Sequence, residues 1–392
     1  MLICLLVGTD SLVGQMPSPT ETPAESLPKV GGYKVSSNME FGVRWVDQTG
    51  SENKYKSDLN YRTGFRMFDS SLLLEADHGT GRIFDSLLVS STGWGSDPTG
   101  YARVSLEKLK IYKLDANVRR VTYFNNLLDH ALNQHTQDTR HTFGDVDLVL
   151  LPQNRNIRFN LGASFSNNRG PGVFTTRAYG DEFAVNSFTR SRNDDFRFGV
   201  EGMLAGFNLA VTQGLRVFTD RTNYDIEVPS LGNNPTNNAR LTTFERSYPV
   251  DGDASYTQFN AQRTFAKRFD FSARFIYSST ASTSGLLEVI TGRDSSNNFV
   301  DLDQFQISGF AKRIQKRGDL GMTVLATDKL RISNTFSYDG FAINGGEEFE
   351  EALFRRNAAG NPLATAITRS TGYRVNDYLR YSNLLEADYQ AT

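Results

Sequence analysis

The stretch RFNLGASFSN, residues 158–167, alternates between polar and apolar side chains. The apolar or small positions are Phe159, Leu161, Ala163 and Phe165. The polar positions between them include Arg158, Asn160 and Ser164. Because successive side chains of a β-strand point to opposite faces, this period of two predicts a strand with one apolar face and one wet face.

The same alternation recurs along the chain from residue 35 onward. Clear examples are MEFGVRWV (39–46), FRFGVEG (196–202), FDFSARFIY (269–277) and LRISNTFSY (330–338). The patterned segments are close to the ~9–11 residues that a tilted strand needs to cross a bilayer. Strands of soluble sheets are usually shorter, at about five or six residues.

The connections between these segments alternate in length. Short polar connections are HGTG (78–81), PQNRN (152–156), LAG (204–206), FAKR (265–268) and ATDK (326–329). Long polar segments, expected to be extracellular loops, lie near 120–141, 168–191, 219–253, 280–303 and 341–375. The alternation holds if 55–78 and 304–326 are each one strand, and it is typical of outer-membrane barrels. Only 123–135 and 347–358 have spacing that suits a short helix.

The sequence therefore predicts an all-β fold, a transmembrane antiparallel up-and-down β-barrel with about fourteen strands. We expect it in the bacterial outer membrane, in contact with outer-membrane lipid. Residues 1–14 resemble a signal-peptide remnant, 15–34 a Pro/Ser/Thr-rich linker, and 35–392 form the barrel. The last segment lacks the terminal aromatic residue typical of such barrels, so we expect an incomplete barrel. Sandwiches, jelly rolls and propellers are the soluble alternatives, because their strands also alternate.

The alternation also divides the candidate functional residues between two environments. An ionised side chain near the middle of a lipid face costs roughly 2–4 kcal/mol, so charged positions are expected to face the lumen. The predicted lumen residues are Arg44, Arg62, Arg66, Arg119, Arg158, Arg197, Glu201, Arg216, Arg274 and Arg331. The predicted lipid-facing residues are Phe41, Trp45, Phe159, Leu161, Phe165, Phe196, Phe198, Phe271, Phe275, Ile332 and Phe336.

Two interpretations of this charged lumen are open. Charged walls could select solutes or hold a plug protein where the passage is narrow. Alternatively, any water-filled barrel needs polar walls, and neighbouring arginines and carboxylates such as Glu40, Glu107, Asp115 and Asp270 neutralise one another. The alternation by itself is compatible with both.

Composition excludes several classes of function. The chain of 392 residues carries a formal net charge of -2, which argues against a nucleic-acid partner. Its single cysteine, Cys4, excludes a disulfide framework, a C-x-x-C-H haem attachment and a cysteine-based zinc site. We therefore expect no cofactor held by this chain.

Histidine offers one weak candidate for a metal site. The segment DHALNQHTQDTRH (129–141) contains His130, His135 and His141. Their spacing does not match the i, i+4 arrangement that presents two ligands on one helix face, so a polar loop is the favoured interpretation. A G-x-S-x-G elbow is absent, and the glycine-rich segments at 78–82 and 167–172 lack a P-loop lysine. We therefore expect neither a metal site nor an enzyme.

Two segments carry a resemblance to a known family. They are FGVRWVDQTGSENKYKSDLNYRTGFRMFD (41–69) and RHTFGDVDLVLLPQNRNIRFNLGASFSNNRGPG (140–172). In strand length, turn style and Arg/Asn/Asp-rich polar positions, the chain from 35 to 392 resembles the outer-membrane barrels of the MtrB/PioB type, which ensheathe multihaem cytochromes. Some members have an N-terminal C-x-x-C pair, whereas this chain has only Cys4.

Three functions follow as expectations. The first is a porin-like channel or barrel sheath with an Arg-rich lumen that passes small hydrophilic solutes. The second, implied by the resemblance, is a structural sheath for a periplasmic multihaem cytochrome in extracellular electron transfer. The third is a soluble β-rich protein that binds a partner through its long loops.

Overall fold

The computed structural model describes residues 28–77, 79–126 and 135–391. In these residues the fold is all-β, with sixteen strands and one helix. The helix α1 spans Glu52–Asp58. Among the described residues, no helix is both long and apolar enough to cross a membrane.

The first eight strands are short or of intermediate length and lengthen along the chain. They are β1 Lys29–Val30, β2 Tyr33–Arg44, β3 Gly64–Ala76, β4 Ser86–Gly95, β5 Thr99–Lys108, β6 Tyr112–Asn126, β7 Thr136–Leu150 and β8 Ile157–Ala178. Most of the last eight are longer still. They are β9 Asp181–Leu204, β10 Phe207–Asp225, β11 Ser230–Leu231, β12 Arg240–Phe265, β13 Phe269–Arg293, β14 Phe299–Leu325, β15 Leu330–Arg356 and β16 Pro362–Tyr389.

All strands belong to one antiparallel up-and-down sheet. Each strand pairs with its neighbour in the chain, except that β10 pairs with β12 and the short β11 lies beside β12. Apart from β1 and β11, which have two residues each, every described strand has ten residues or more. That leaves fourteen long strands, in agreement with the sequence prediction. Within the described residues no pairing joins the two ends of the sheet, so it is open.

The predicted long loops are a point of difference. Residues 168–191 form a continuous hairpin in which only Tyr179 and Gly180 separate β8 from β9. Most of 280–303 and 341–375 is likewise strand, and 219–253 is strand except around β11. For 120–141, the strands run to Asn126 and resume at Thr136, and the residues between 126 and 135 lie outside the described residues.

The loop prediction is wrong because polar sequence does not by itself indicate a turn. Beyond the reach of an apolar environment both faces of a strand can be polar, and the backbone still satisfies its N–H and C=O groups by pairing with the neighbouring strand. The register from Arg169↔Arg190 to Ala178↔Asp181 continues without a break. Polar sequence in this chain therefore marks strand extensions as well as loops.

The segment 55–78 is not one strand, because it begins inside helix α1. The hydroxyl of Ser51 caps this helix by accepting a hydrogen bond from the backbone N–H of Lys54 at 3.2 Å. An i, i+4 ion pair joins Lys54 to Asp58 at 2.8 Å. The prediction of a short helix over 347–358 is also wrong, because strand β15 continues to Arg356.

The pairing register assigns every strand residue to one of two faces, because directly paired residues share a face. Leu114, Leu148, Leu161 and Phe198 are successive partners across β6 to β9 and define the apolar face. The opposite face, on which Arg158 pairs with Glu201, is called the charged face below.

The main buried core lies where the long hairpins fold together. This hairpin core consists of Ala178, Phe183, Val185, Ala239, Leu241, Phe244 and Ile290. It lies on the side of the charged face, because Val185 pairs with Phe174 and Phe244 pairs with Ile290 there. Arg246 on β12 donates to Thr176 on β8 at 3.2 Å, although β9 and β10 lie between these strands in the sheet. The sheet therefore curls over its charged face at this end.

Candidate functional site

The register separates the predicted site residues by face. All predicted lumen residues that lie in strands fall on the charged face, and all predicted lipid-facing residues that lie in strands fall on the apolar face. Trp45 directly follows β2, and Arg62 lies between α1 and β3. The same alternation that predicted the strands thus predicted the division between faces.

The apolar face is broadly exposed. Phe196 is 53% exposed, Leu215 is 47% exposed and Phe275 is 43% exposed. Water-soluble monomers rarely expose contiguous apolar patches of more than a few hundred Å², and larger patches mark a membrane or partner contact. Contact of this face with an apolar environment would therefore be favourable.

The exposed apolar residues form a band of limited height. On β8 the band runs from Ile157 to Phe165, after which Asn167 and Arg169 occupy the same face. These nine positions match the ~9–11 residues of a strand that crosses a bilayer at a tilt. Charged residues then follow on neighbouring strands at the same level. The band therefore has the dimension expected of a membrane-spanning surface.

Aromatic side chains cluster at both edges of this apolar band. Near the short turns, the Phe207 ring lies 5.9 Å from the Phe265 ring and 6.0 Å from the Phe271 ring, with edge-on geometry. Towards the opposite edge, the rings of Tyr338 and Tyr381 are 5.4 Å apart. Aromatic girdles at both interfaces are typical of membrane barrels.

The charged face carries a ladder of ion pairs behind the apolar band. Arg158 donates through Nε to Glu201 at 3.1 Å, and Asn160 donates to the same carboxylate at 2.5 Å. Asp195 is buried and lies between Arg216, at 3.3 Å, and Arg197, at 3.7 Å. Much of the positive charge on this face is therefore neutralised across strands.

A hollow of about 900 Å³ lies on the charged face near the short turns. It is lined by polar side chains from β8 to β15, among them Arg158, Glu201, Asn208, Asn260, Arg274 and Asp319. Among the described residues, no carboxylate lies within 4.0 Å of the Arg274 guanidinium, whereas Arg158 is paired with Glu201. Arg155, in the β7–β8 turn, also lines the hollow without such a carboxylate among the described residues, so the hollow can accept a hydrated polar solute and presents two cations free to interact with it.

Sequence reasoning missed one cluster on the charged face. Asp97, which lies between β4 and β5, is buried and accepts hydrogen bonds from Arg44 at 2.8 Å and from Arg66 Nε at 3.0 Å. The Tyr61 ring stacks under Arg44, 3.8 Å from the guanidinium carbon. Tyr61 lies among residues 59–63, which are not strand, so the alternation between strand faces does not apply to it. Asp97 is not part of an alternating segment, because it lies in the turn between β4 and β5, so the sequence pattern did not indicate its role.

The histidine candidates are not brought together. His141 is hydrogen-bonded to Ser166 at 2.8 Å, and His135 to Thr175 at 3.1 Å. Six residues of extended chain separate the two rings by on the order of 20 Å. His130 lies outside the described residues. Within the described part of the chain, no group of three or more His, Cys, Asp or Glu side chains could hold a metal ion.

Outside the apolar band, the clearest pKa shift belongs to Tyr179 in the folded hairpins. Tyr179, at the β8–β9 turn, donates to Asp303 on β14 at 2.7 Å. Burial raises the pKa of the Tyr179 hydroxyl, and the bonded carboxylate of Asp303 raises it further. This phenol stays protonated and serves as a structural donor.

Comparison with known proteins adds no assignment to this geometry. No protein-family model, no curated protein and no solved structure matches the chain.

Proposed function

We propose that the chain forms the wall of an outer-membrane β-barrel and that its charged face lines a passage for small hydrophilic solutes. The observation that carries this proposal is the placement of an exposed apolar band directly behind a charged, ion-paired face. Phe196 is 53% exposed on one face, while its sequence neighbours Asp195 and Arg197 join the ion-pair ladder on the other.

Energetics favour lipid on the apolar face and water on the charged face. An ionised side chain at the lipid midplane costs roughly 2–4 kcal/mol, so residues such as Arg158 and Arg197 require the wet side. Burying apolar area stabilises by roughly 25 cal/mol per Å², so Phe198 and Leu215 favour the acyl chains. A soluble sheet would instead cover its exposed apolar band with a second layer, and the described residues place no second layer there.

The hairpin core suggests that the passage is narrow at one end. Phe183 and Phe244 are essentially fully buried on the side of the charged face. They lie beyond the apolar band, where the strands would project from the membrane. Hairpins that fold inwards over a polar lumen reduce its width, and wall charges tune selectivity where a pore is narrow. We therefore expect a passage restricted to small solutes.

The experiment is to purify the full chain from membranes in mild detergent and reconstitute it in a planar bilayer. The proposal expects ion conductance from the haem-free protein. Arg274→Glu should shift selectivity towards cations by roughly two-fold, because it reverses an unpaired charge on the passage wall. The matched charge reversal Arg268→Glu lies in the short β12–β13 turn and should have little effect.

Two outcomes would redirect the proposal. A chain that stays in solution without detergent and never conducts would contradict it and favour the soluble alternative. A stoichiometric haem protein that co-purifies and suppresses conductance would favour the sheath function implied by the resemblance, because this chain has no C-x-x-C-H motif of its own.

A further inference from the structure

Four arginines lie in one row across four adjacent strands. Arg140 on β7 pairs directly with Arg169 on β8, which pairs with Arg190 on β9, which pairs with Arg221 on β10. Directly paired residues share a face, so all four project from the same side of the sheet. That side is the apolar face, since Arg169 follows Phe165 by four residues along β8. These residues are called the arginine row.

The arginine row is an unfavourable arrangement for the isolated chain. Like charges directly opposite one another destabilise a sheet. Arg140, Arg169 and Arg190 are exposed, and within the described residues none of them has a carboxylate within 4.0 Å. Arg221, in contrast, pairs with Asp251 at 3.3 Å. Asp138 lines a smaller hollow with Arg140 and Arg169 but lies beyond ion-pair distance, so the three adjacent cations outnumber the carboxylates beside them.

The surroundings of the row are both basic and aromatic. One register step closer to the apolar band, Arg120 lies over the Trp94 ring at 5.1 Å. Its Nη2 donates to the backbone carbonyls of Gly95 and Asp97, and its buried Nε has no hydrogen-bond partner. Arg192 lies at the same level and pairs with Asp194 at 2.7 Å. A hollow of about 410 Å³ brings these groups together and is lined by Trp94, Arg120, Arg140, Phe165, Arg169, Arg192 and Asp194.

The position of this hollow indicates which kind of ligand it can bind. Its lower wall is Phe165, the last residue of the apolar band on β8, and its upper part is formed by Arg140 and Arg169 of the arginine row. Arg190 pairs directly with Arg169 and continues the row beside the hollow. A ligand that fits must be apolar at one end and multiply anionic where the apolar part ends. Guanidinium groups bind phosphate oxygens in bidentate geometry, and neighbouring strands space them about 4.8 Å apart. Phosphate groups at a lipid surface meet these conditions.

We propose that the arginine row binds the phosphorylated headgroup of a membrane lipid at the edge of the apolar band. The proposal rests on the proposed function, because it places lipid acyl chains against the apolar band. Each basic residue near an anionic lipid surface contributes about a factor of five to binding. The lipid phosphates also neutralise the repulsion between Arg140, Arg169 and Arg190, so the site becomes complete only in the membrane.

The test uses Trp94 fluorescence of the full chain in uncharged detergent. The chain contains two tryptophans, so Trp45→Phe leaves Trp94 as the reporter inside the hollow. The probes are a diphosphorylated glycolipid, the same glycolipid with its phosphates removed, and inorganic phosphate. On this background the triple variant Arg140→Gln, Arg169→Gln, Arg190→Gln is compared with a control triple variant of the short turns, Lys110→Gln, Lys267→Gln, Arg268→Gln.

The proposal expects tight binding of the phosphorylated glycolipid only. The row variant should bind it on the order of 100-fold more weakly, from about one factor of five per arginine, while the control triple variant binds normally. Without lipid, the row variant should melt at a higher temperature than the parent, because it removes the like-charge pairs. This second measurement shows that any loss of binding does not come from misfolding.

Other results would overturn the proposal. Equal binding by the parent and the row variant, or equal binding of phosphorylated and dephosphorylated glycolipid, would exclude a phosphate site at the row. Inorganic phosphate that binds as tightly as the glycolipid would indicate a free-anion site instead. Failure of the proposed function would look different, because the chain would bind glycolipid in detergent yet not insert into or conduct across a bilayer.

Discussion

The hydroxyl of Tyr179 and the carboxylate of Asp303 are 2.7 Å apart, although 124 residues separate them in the chain. Tyr179 lies at the tip of the β8–β9 hairpin and Asp303 lies on β14, and these strands are not neighbours in the sheet. The bond therefore closes the hairpins over the charged face, and it does so beside the hairpin core.

Tyr179→Phe removes this closing hydrogen bond. We expect the hairpin tips to lose about 1–3 kcal/mol of local stability, because Asp303 is left without its donor in a partly buried place. Hydrogen exchange at the backbone amides of residues 178–182 measures this loss. Tyr373→Phe is the control, since Tyr373 is 65% exposed, and it should leave exchange unchanged. Equal protection in both variants would show that the bond does not hold the tips together.

Asp97→Asn tests the buried cluster of the charged face. The Asp97 side chain is 6% exposed and forms ion pairs with both Arg44 and Arg66. The variant therefore leaves two guanidinium groups without their counter-charge. Breaking a buried ion pair from one side costs about 3–5 kcal/mol. Urea unfolding in detergent or lipid measures the change. Asp328→Asn is the matched control, because Asp328 is 96% exposed beside Arg268. A similarly small change in both variants would argue against the cluster as a stabilising element.

Leu161→Arg and Asn160→Arg form a matched pair on adjacent residues of β8. Leu161 lies near the middle of the apolar band, so an arginine there should reduce the stability of the bilayer-inserted chain by roughly 2–4 kcal/mol. Asn160 lies on the charged face beside Glu201, and an arginine there should have a small effect. Unfolding by urea from lipid vesicles distinguishes the two. Comparable losses in both variants would contradict the assignment of lipid and water to the two faces.

Asp294 gives the β13–β14 turn a pH dependence. Burial opposes ionisation of Asp294, but hydrogen bonds from Asn298 and Ser296 and the charge of Arg355 outweigh it and lower its pKa from 3.8. A lowered pKa in the folded state stabilises the hairpin above the unfolded pKa, and this stabilisation is lost as pH falls through the lowered value. Protection of the turn amides should therefore fall when the solution is acidified below about pH 4.

The variant Asp294→Asn isolates this effect from other carboxylates such as Asp301, whose pKa is also lowered, in that case by Arg356. In the variant, protection of residues 294–298 should be lower at neutral pH and should change less on acidification. A pH profile that is the same in the variant and the parent would assign the dependence to another group.

Much of the division of the site between two faces could be predicted, because strand geometry is local. Arg158 and Phe159 must point in opposite directions in any extended chain, whatever they pair with. Asp97 could not be predicted, because its contact with Arg44 depends on the path of a turn 53 residues away. The like-charge pairing of Arg140 with Arg169 could not be predicted either. A shift of register by two residues would leave every side chain on the same face of the sheet and change every pairing partner.

The sequence by itself determined the strand type, the number of long strands and the face of each predicted site residue that lies in a strand, because a period of two is a property of the extended backbone and needs no partner. Only the tertiary structure decided where strands end, which residues pair, and that Phe183 and Phe244 meet in one core. Those features depend on register and on the curl of the sheet, which arise from contacts between segments far apart in the chain. Polar stretches such as 168–191 show the difference, because pairing across the hairpin made them strand where composition favoured a loop.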